Sequence, residues 1–185
     1  MLGGAALGAI DDIDDLIRLF ERLLQIAEVE SGVGIHSAEP IDLQRVAFDM
    51  ADMFDASAQM ADVRLHAGPG PPVPVLADRN LVATAIASLI DNAIKHAGAG
   101  ATVTVSTALH ATDASITLRD KGPGIPAGEH AKVVQRFYRL DKSRAIPGNG
   151  LGLSIVHAIA TVHGGELRLE DTASGLSARI RLPRH

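Results

Sequence analysis

The chain has 185 residues, of which 46% are hydrophobic and 21% charged, and its formal net charge is −5. This composition is typical of a folded globular protein, and the negative charge argues against general nucleic-acid binding. The absence of cysteine excludes disulfides, thiolate metal sites and cysteine nucleophiles, and it fits a cytoplasmic location. No apolar run reaches the ~18 residues of a membrane-spanning helix, so we expect no membrane contact by this chain.

The first predicted element is a helix over residues 11–30, after a stub at residues 1–10 that we expect to be frayed. Its apolar side chains recur at steps of three and four and form one stripe: Ile13, Leu16 or Ile17, Phe20, Leu23 or Leu24, and Ala27. A lone helix of this length is only marginally stable in water, so the stripe must pack against something. Two interpretations stay open. The stripe packs on the body of this chain, or it forms the seam of a helix bundle or homodimer.

Strand and helix patterns alternate along the rest of the chain. Strands are predicted near Ile41 and at 63–65, 73–76, 102–109, 114–119, 166–170 and 176–182, and helices at 43–61, 78–97, around 129–136 and at 151–162. Asp78 occupies the N-cap position of its helix. In the helix at 43–61 the expected core residues are Val46, Met50, Met53, Phe54 and Met60. The pattern predicts an α+β fold in which about three helices cover one face of a mixed, mostly antiparallel sheet.

A polar face on the helix at 78–97 is the first candidate for ligand binding. Ser88, Asn92 and Lys95 lie at i, i+4 and i+7 and therefore share that face. Mg²⁺ prefers hard oxygen ligands such as the Asn92 amide, and Lys95 can reach a phosphate as a point charge. His96, the next residue, is a further candidate for ligand contact. A solvated helix face would explain this segment equally well if it stood alone.

The second candidate follows the strand at 114–119. Asp120 ends that strand, and Gly122 and Gly124 come directly after it. A carboxylate accepts hydrogen bonds and pairs with the exocyclic amine of adenine, while glycines let the backbone approach a flat ring. A simple Asp-Gly turn is the alternative interpretation.

A glycine-rich turn before the last helix is the third candidate. Gly148, Gly150 and Gly152 alternate with other residues and lead into the apolar Leu151 and Leu153. Free amides at a helix start attract anions, which indicates phosphate. Each exposed contact of this kind contributes only about 0.3–1 kcal/mol, whereas micromolar binding needs about 8 kcal/mol. The three segments must therefore converge on one ligand, and as an ordered set they predict an ATP site.

The polar stretch from Ile125 to Gly150 separates the second and third segments. It contains Arg136-Phe137-Tyr138-Arg139, and we expect it to act as a flexible lid that brings Arg139, with Lys142 or Arg144, onto the terminal phosphates. A surface loop with solvated charges is the alternative. None of the eight histidines has metal-ligand spacing, so no zinc site is expected.

These segments resemble the catalytic, ATP-binding domain of bacterial sensor histidine kinases, which belong with the gyrase, heat-shock-90 and MutL-type ATPases. The resemblance lies in Asp91–His96 for the N box, Asp120–Gly124 for the G1 box, Arg136–Arg139 for the F box and Gly148–Leu153 for the G2 box. It covers about residues 33–185. Residues 11–32 look like the second helix of the family's dimerisation and phosphoacceptor hairpin.

The resemblance implies a Bergerat-type two-layer α/β sandwich at residues 33–185 that binds Mg-ATP, preceded by a hairpin remnant at 1–32. In that family the γ-phosphoryl group passes to a histidine and then to an aspartate of a response regulator. The resemblance implies that Asn92 holds Mg²⁺, that Lys95 and Arg139 neutralise phosphate, and that Asp120 selects adenine. It further implies nucleotide contacts by His96, Gly122, Gly124, Tyr138, Gly148, Gly150, Leu151, Gly152 and Leu153.

Two departures from the family pattern matter. Ser88 stands where a second Asn is common, and no histidine has the acceptor context of a helical His followed by an acid and then Pro. We therefore expect a fragment that binds nucleotide without phosphorylating itself, from a parent that could be membrane-anchored. Two alternatives remain: a degenerate binding or dimerisation module that acts through its N-terminal helix, and an ATPase or serine kinase of the same superfamily.

Overall fold

The computed structural model of the chain describes residues 38–141, 148–172 and 175–184, together with Leu24 and Ala27. The predicted helix at residues 11–30 lies outside the described residues except at these two positions, where the backbone is helical and the side chains are exposed. The stub at residues 1–10 also lies outside them. The boundary between residues 32 and 33 therefore stays a prediction.

The described elements follow the predicted order. They are β1 (Glu39–Asp42), α1 (Leu43–Met60), β2 (Arg64–Ala67), β3 (Pro74–Ala77), α2 (Arg79–Ala97), β4 (Thr102–Leu109), β5 (Asp113–Arg119), α3 (His130–Val133), α4 (Gly152–Val162), β6 (Glu166–Thr172) and β7 (Gly175–Pro183). A 3₁₀ turn at Ala127–Glu129 precedes α3. The helix predicted around 129–136 is thus a single α-helical turn, and residues 134–139 have irregular structure.

A five-stranded sheet in the order β2-β4-β5-β7-β6 forms one layer of the molecule. Only β2 and β4 pair in parallel, and the other three neighbouring pairs are antiparallel. β1 and β3 form a separate two-stranded antiparallel ribbon. α1, α2 and α4 supply the second layer, and each packs against strands of the large sheet. The predicted α+β class, a two-layer sandwich with a mixed, mostly antiparallel sheet, is confirmed.

The core lies between these two layers. Its fully buried large side chains come from every part of the sandwich: Leu43, Ile86, Ile90, Ile116, Leu151, Ile159 and Leu182. Asp42 and Asp78 cap α1 and α2. The Asp42 carboxylate accepts from Gln44 N at 3.0 Å, and that of Asp78 accepts from Asn80 N at 2.9 Å and from Leu81 N at 3.1 Å. Such caps are typically worth about 1 kcal/mol each, and the predicted cap at Asp78 is confirmed.

The core face of α1 is narrower than the sequence predicts. Val46 and Met50 are buried and Phe54 is half-buried, but Met53 and Met60 are 67% and 84% exposed. The prediction for these two methionines was wrong. Because successive residues of a helix are about 100° apart, Met53 and Met60 fall just beyond the edge of the buried stripe that Val46 and Met50 share.

Candidate functional site

The C-terminal half of α2 presents the first group of predicted ligand residues. Asn92 is half-buried, and its side-chain amide forms no hydrogen bond with the described part of the chain. Lys95 is exposed, and its ammonium lies 2.7 Å from Asp91 Oδ2, one helical turn earlier. The neighbouring Ile90 and Ala93 are buried in the core, so the polar face of α2 points away from it.

Asp120 is held rigidly at the end of β5. Its side chain is only 8% exposed. Oδ1 accepts from Gly122 N at 2.8 Å and from Leu176 N at 3.3 Å, while the Asp120 amide donates to Leu176 O at 3.0 Å. A Cβ on Gly175 would overlap the carbonyl oxygen of Asp120, so this contact requires glycine. These bonds use Oδ1 and leave Oδ2 as an acceptor for another group.

The turn after Asp120 packs directly on the end of α2. A Cβ on Gly122 would stand 2.8 Å from the carbonyl oxygen of His96 and 3.1 Å from Cα of Ala97. Both distances are shorter than ordinary van der Waals contacts. The structure therefore brings the first two predicted segments together through backbone contact.

His96 lies among the charged residues of the site. Burial lowers the pKa of its imidazole, the Asp120 carboxylate opposes that effect, and the positive charges of Lys95 and Arg139 add to it. Since charges act on one another in water mainly at short range, the charged groups of Lys95, Asp120 and Arg139 lie around the His96 ring. The imidazole is thereby favoured in its neutral form.

The glycine turn before α4 joins the segment at 136–139. A Cβ on Gly150 would stand 2.8 Å from Tyr138 O and 3.0 Å from Arg139 Cγ, and Phe137 N donates to Gly150 O at 3.0 Å. Gly150 and Phe137 both have a left-handed backbone, with φ of 66° and 63°. The third predicted segment therefore meets Arg139, which in turn lies near His96.

The residues of the glycine turn divide into two kinds. Leu151 and Leu153 are buried, with 0% and 8% exposure, so their side chains anchor the turn in the core. Gly148 and Gly152 have open space where a Cβ would be. Among the residues that the structure describes, no side chain caps the start of α4. At the leucines and glycines of this turn, the groups that can face a ligand are therefore the backbone amides.

Three contacts that the sequence did not predict fix the segment between the second and third motifs. Asp171 Oδ1 accepts from Ile125 N at 2.9 Å, and its Oδ2 lies 3.3 Å from His130 Nε2. The Tyr138 hydroxyl donates to Glu129. That bond lowers the pKa of Glu129 and raises the pKa of Tyr138. Tyr138, a predicted nucleotide contact, thus turns its hydroxyl toward Glu129. Lys142 and Arg144 lie outside the described residues.

A surface groove of about 590 Å³ lies between residues 134–136 and one side of α4, where Ser154, His157 and Thr161 contribute to its wall. It is lined by none of the predicted ligand residues. None of the helices in the described part of the chain combines the length and hydrophobicity of a membrane span. Over the same residues, His, Asp and Glu side chains form no group of three that could hold a metal ion.

Residues 77–185 match the protein family described as histidine kinase-, DNA gyrase B- and HSP90-like ATPase. The chain therefore belongs to this family of ATPases. Within the family its similarity is to sensor histidine kinases, as the four motifs indicated.

The curated relatives are longer proteins. The signal transduction histidine-protein kinase/phosphatase MprB of Mycolicibacterium smegmatis is 35% identical over 94% of this chain. The sensor-like histidine kinase SenX3 of Mycobacterium tuberculosis is 27% identical over 99% of it. The chain spans 35% of the length of that MprB and 49% of that SenX3.

Solved structures agree with the fold. A structure of the mycobacterial sensor histidine kinase MprB has a TM-score of 0.70 and 31% identity, and the match covers 80% of this chain and 97% of that one. Full-length ShkA in complex with AMPPNP has a TM-score of 0.79 at 20% identity, over 94% of this chain and 36% of that one. At that identity the second match supports the fold alone.

Proposed function

We propose that the chain binds Mg-ATP between the C-terminal half of α2, the turn after Asp120 and the glycine turn before α4. The observation that supports this most directly is the central place of His96. Its carbonyl contacts Gly122, its ring is influenced by Asp120 and Arg139, and Arg139 contacts Gly150. These contacts connect three segments that are far apart in sequence, and in this proposal the segments supply both an acceptor for adenine and positive charge for phosphate.

The residues have separate roles in this proposal. The Asp120 carboxylate accepts a hydrogen bond from the adenine amine through Oδ2. Lys95 and Arg139 neutralise phosphate oxygens, and the amides at the start of α4 donate to them. Lys95 must exchange its ion pair with Asp91 for phosphate, and an exposed pair of this kind is weak enough to do so.

The donor set fits a magnesium ion. The Asn92 amide oxygen is a hard ligand without a protein partner among the described residues, and Ser88 lies one turn earlier on the same face. When bound, the ion would neutralise negative charge on the phosphates. Asn92 would hold it, and the Ser88 hydroxyl would orient a water in its shell.

We further propose that this chain is the cytoplasmic kinase part of a longer sensor histidine kinase, with residues 1–32 contributing to a dimerisation hairpin and 33–185 forming the catalytic domain. The γ-phosphorus of ATP forms a bond to an imidazole nitrogen as its bond to the ADP oxygen breaks. The imidazole proton is released to solvent. A response regulator aspartate would then accept the phosphoryl group. The relatives named as histidine kinases support this sequence of steps.

Calorimetry tests the site. Wild-type protein should bind ADP with Mg²⁺, Asp120→Asn should abolish most of the affinity, and Asn92→Ala should reduce the Mg²⁺-dependent part. Asp120→Asn is well suited because asparagine keeps an Oδ1 that can still accept from Gly122 N and Leu176 N. Equal binding by all three proteins, or none by any, would contradict the assignment.

Transfer in trans tests the kinase activity. A separately produced phosphoacceptor hairpin from a relative such as SenX3, incubated with the chain and labelled ATP, should acquire acid-labile, base-stable phosphate. Labelled serine would contradict a histidine kinase. A dimeric chain without measurable Mg-ATP affinity would favour the degenerate binding module, to which Ser88 and the Lys95–Asp91 ion pair lend some support.

A further inference from the structure

His163, the first residue after α4, connects that helix to the cap of α2. Its Nε2 lies 3.0 Å from the backbone nitrogen of Asp78, and its Nδ1 lies 2.8 Å from the carbonyl oxygen of Ile159. A backbone N–H can only donate and a carbonyl can only accept. The roles of the two ring nitrogens are therefore fixed: Nε2 accepts and Nδ1 donates.

Both sides of this contact are rigid. Asp78 is 8% exposed, and its carboxylate caps α2 through Asn80 N and Leu81 N. On the other side, Gly165 N donates to Ala160 O at 2.8 Å, and a Cβ on Gly165 would overlap the carbonyl oxygen of Arg181 in β7. The end of α4 is thus fixed to the sheet before it contacts α2, so His163 transmits the position of one helix to the other.

The opposite ends of the two helices meet at the proposed phosphate site. α2 and α4 pack together, and the bond from Asp78 to His163 places the start of one beside the end of the other. At the far ends, His96 of α2 lies near Arg139, which contacts Gly150 before α4. α4 has 11 residues and is therefore about 16 Å long. The same length measured along α2 from Asp78 ends within one helical turn of Asn92, so the start of α4 lies level with that part of α2.

We propose that His163 is a positioning residue, whose bond to Asp78 N sets the alignment of α2 with α4 and thereby the spacing between Asn92 and the amides of the glycine turn. This inference rests on the proposed nucleotide site. It predicts that His163 affects the phosphate-binding half of the site more than the adenine-binding half, because Asp120 itself is held by β7 through Leu176 and only the turn after it, at Gly122, contacts α2.

Two amide variants separate the roles of the ring. His163→Gln places an oxygen near the position of Nε2 and can still accept from Asp78 N. His163→Asn is shorter, so it can replace Nδ1 toward Ile159 but does not reach Asp78. His157→Gln, an exposed histidine of the same helix, is the control. Calorimetry with ADP and with adenosine gives two dissociation constants for each protein, and thermal denaturation shows whether each is folded.

We expect His163→Asn to raise the Kd for ADP about three- to tenfold, the change expected from loss of one hydrogen bond, and to change the Kd for adenosine much less. His163→Gln and His157→Gln should retain wild-type values for both ligands. An equal rise for ADP and adenosine, no rise for either, or a glutamine variant as weak as the asparagine one would overturn the proposal. Unfolding of the asparagine variant would also overturn it, by making the role purely structural. Wild-type protein that binds neither ligand would contradict the nucleotide site itself.

Discussion

Gly122 and the carbonyl oxygen of His96 are so close that a Cβ on Gly122 would stand only 2.8 Å from that oxygen. The contact joins the turn after β5 to the last turn of α2. It is possible because Gly122 has no side chain and so lies directly against the backbone of His96. It brings two segments that are more than twenty residues apart in sequence into one candidate site. Because no flexible side chain lies between them, a substitution here cannot be accommodated without moving the backbone.

Gly122→Ala should therefore lower the free energy of unfolding by about 1–3 kcal/mol, the usual cost of overpacking, and weaken ADP binding. Gly128→Ala is the matched control, because nothing lies within 4 Å of a Cβ at Gly128. Urea denaturation of the two variants gives the comparison. Equal stability of the two would show that the turn can move away from His96.

The glycine turn before α4 contains two glycines that can be compared, because Gly150 is closely surrounded and Gly152 is not. At Gly150 φ is 66° and a Cβ would contact Tyr138 O, so Gly150→Ala should cost about 1–3 kcal/mol of stability. At Gly152 the space is open and the residue begins α4. Gly152→Ala should be neutral or stabilising by up to about 1 kcal/mol.

If the start of α4 approaches phosphate, Gly152→Ala should nevertheless weaken ADP binding, because its methyl group stands between the amides and the ligand. Denaturation and calorimetry on the same samples separate the two effects. Unchanged ADP affinity in Gly152→Ala would place the phosphates elsewhere.

The half-buried imidazole of His96 makes stability depend on pH. Since burial holds the pKa of His96 below its usual value, the unfolded chain takes up a proton first as the pH falls. The stability that the neutral ring contributes is complete above about pH 6.5, the unfolded pKa. It is lost as the pH falls from there through the lowered pKa of the folded state.

Urea denaturation at pH 7.5, 6.5 and 5.5 should show this decline in wild-type protein and a shallower one in His96→Gln. His157→Gln, which removes an exposed histidine from α4, should retain the wild-type decline. Parallel curves for wild type and His96→Gln would assign the pH dependence to other groups.

The methionines of α1 provide a test of packing. Met50 is 8% exposed and Met53 67% exposed. Met50→Ala should cost about 2–4 kcal/mol through lost contacts and a cavity, whereas Met53→Ala should change stability by less than about 0.5 kcal/mol. Chemical denaturation of both variants measures the difference. A large effect at Met53 would mean that this face of α1 is covered in solution.

Local signals in the sequence predicted much of the fold. The acid at position 78 precedes an apolar helical pattern, and it caps α2 as expected. Met53 and Met60 show the limit of such signals. The hydrophobicity of a helix residue does not show how wide a strip of the helix surface the sheet covers. The width depends on how α1 lies over β2 and β4, which is a property of the tertiary structure.

In the candidate site, too, local sequence signals identify some residues and tertiary contacts determine the rest. Asn92 could be selected from the helix face that it shares with Ser88 and Lys95, and Asp120 and Gly150 could be selected because each stands beside an element boundary. The groups that hold them could not. Leu176 and Gly175 reach Asp120 through the register of β5 with β7, and His163 reaches Asp78 across 85 residues. Nothing in the local sequence specifies such pairings.

The convergence of the three segments is tested most directly by an amide NMR titration of the chain with ADP and Mg²⁺. Resonances of Lys95, Gly122 and Gly152 should shift together along one saturating curve with a single Kd, while those of exposed α1 residues such as Met53 stay in place. Shifts confined to one segment, or curves with different dissociation constants, would contradict a shared nucleotide site.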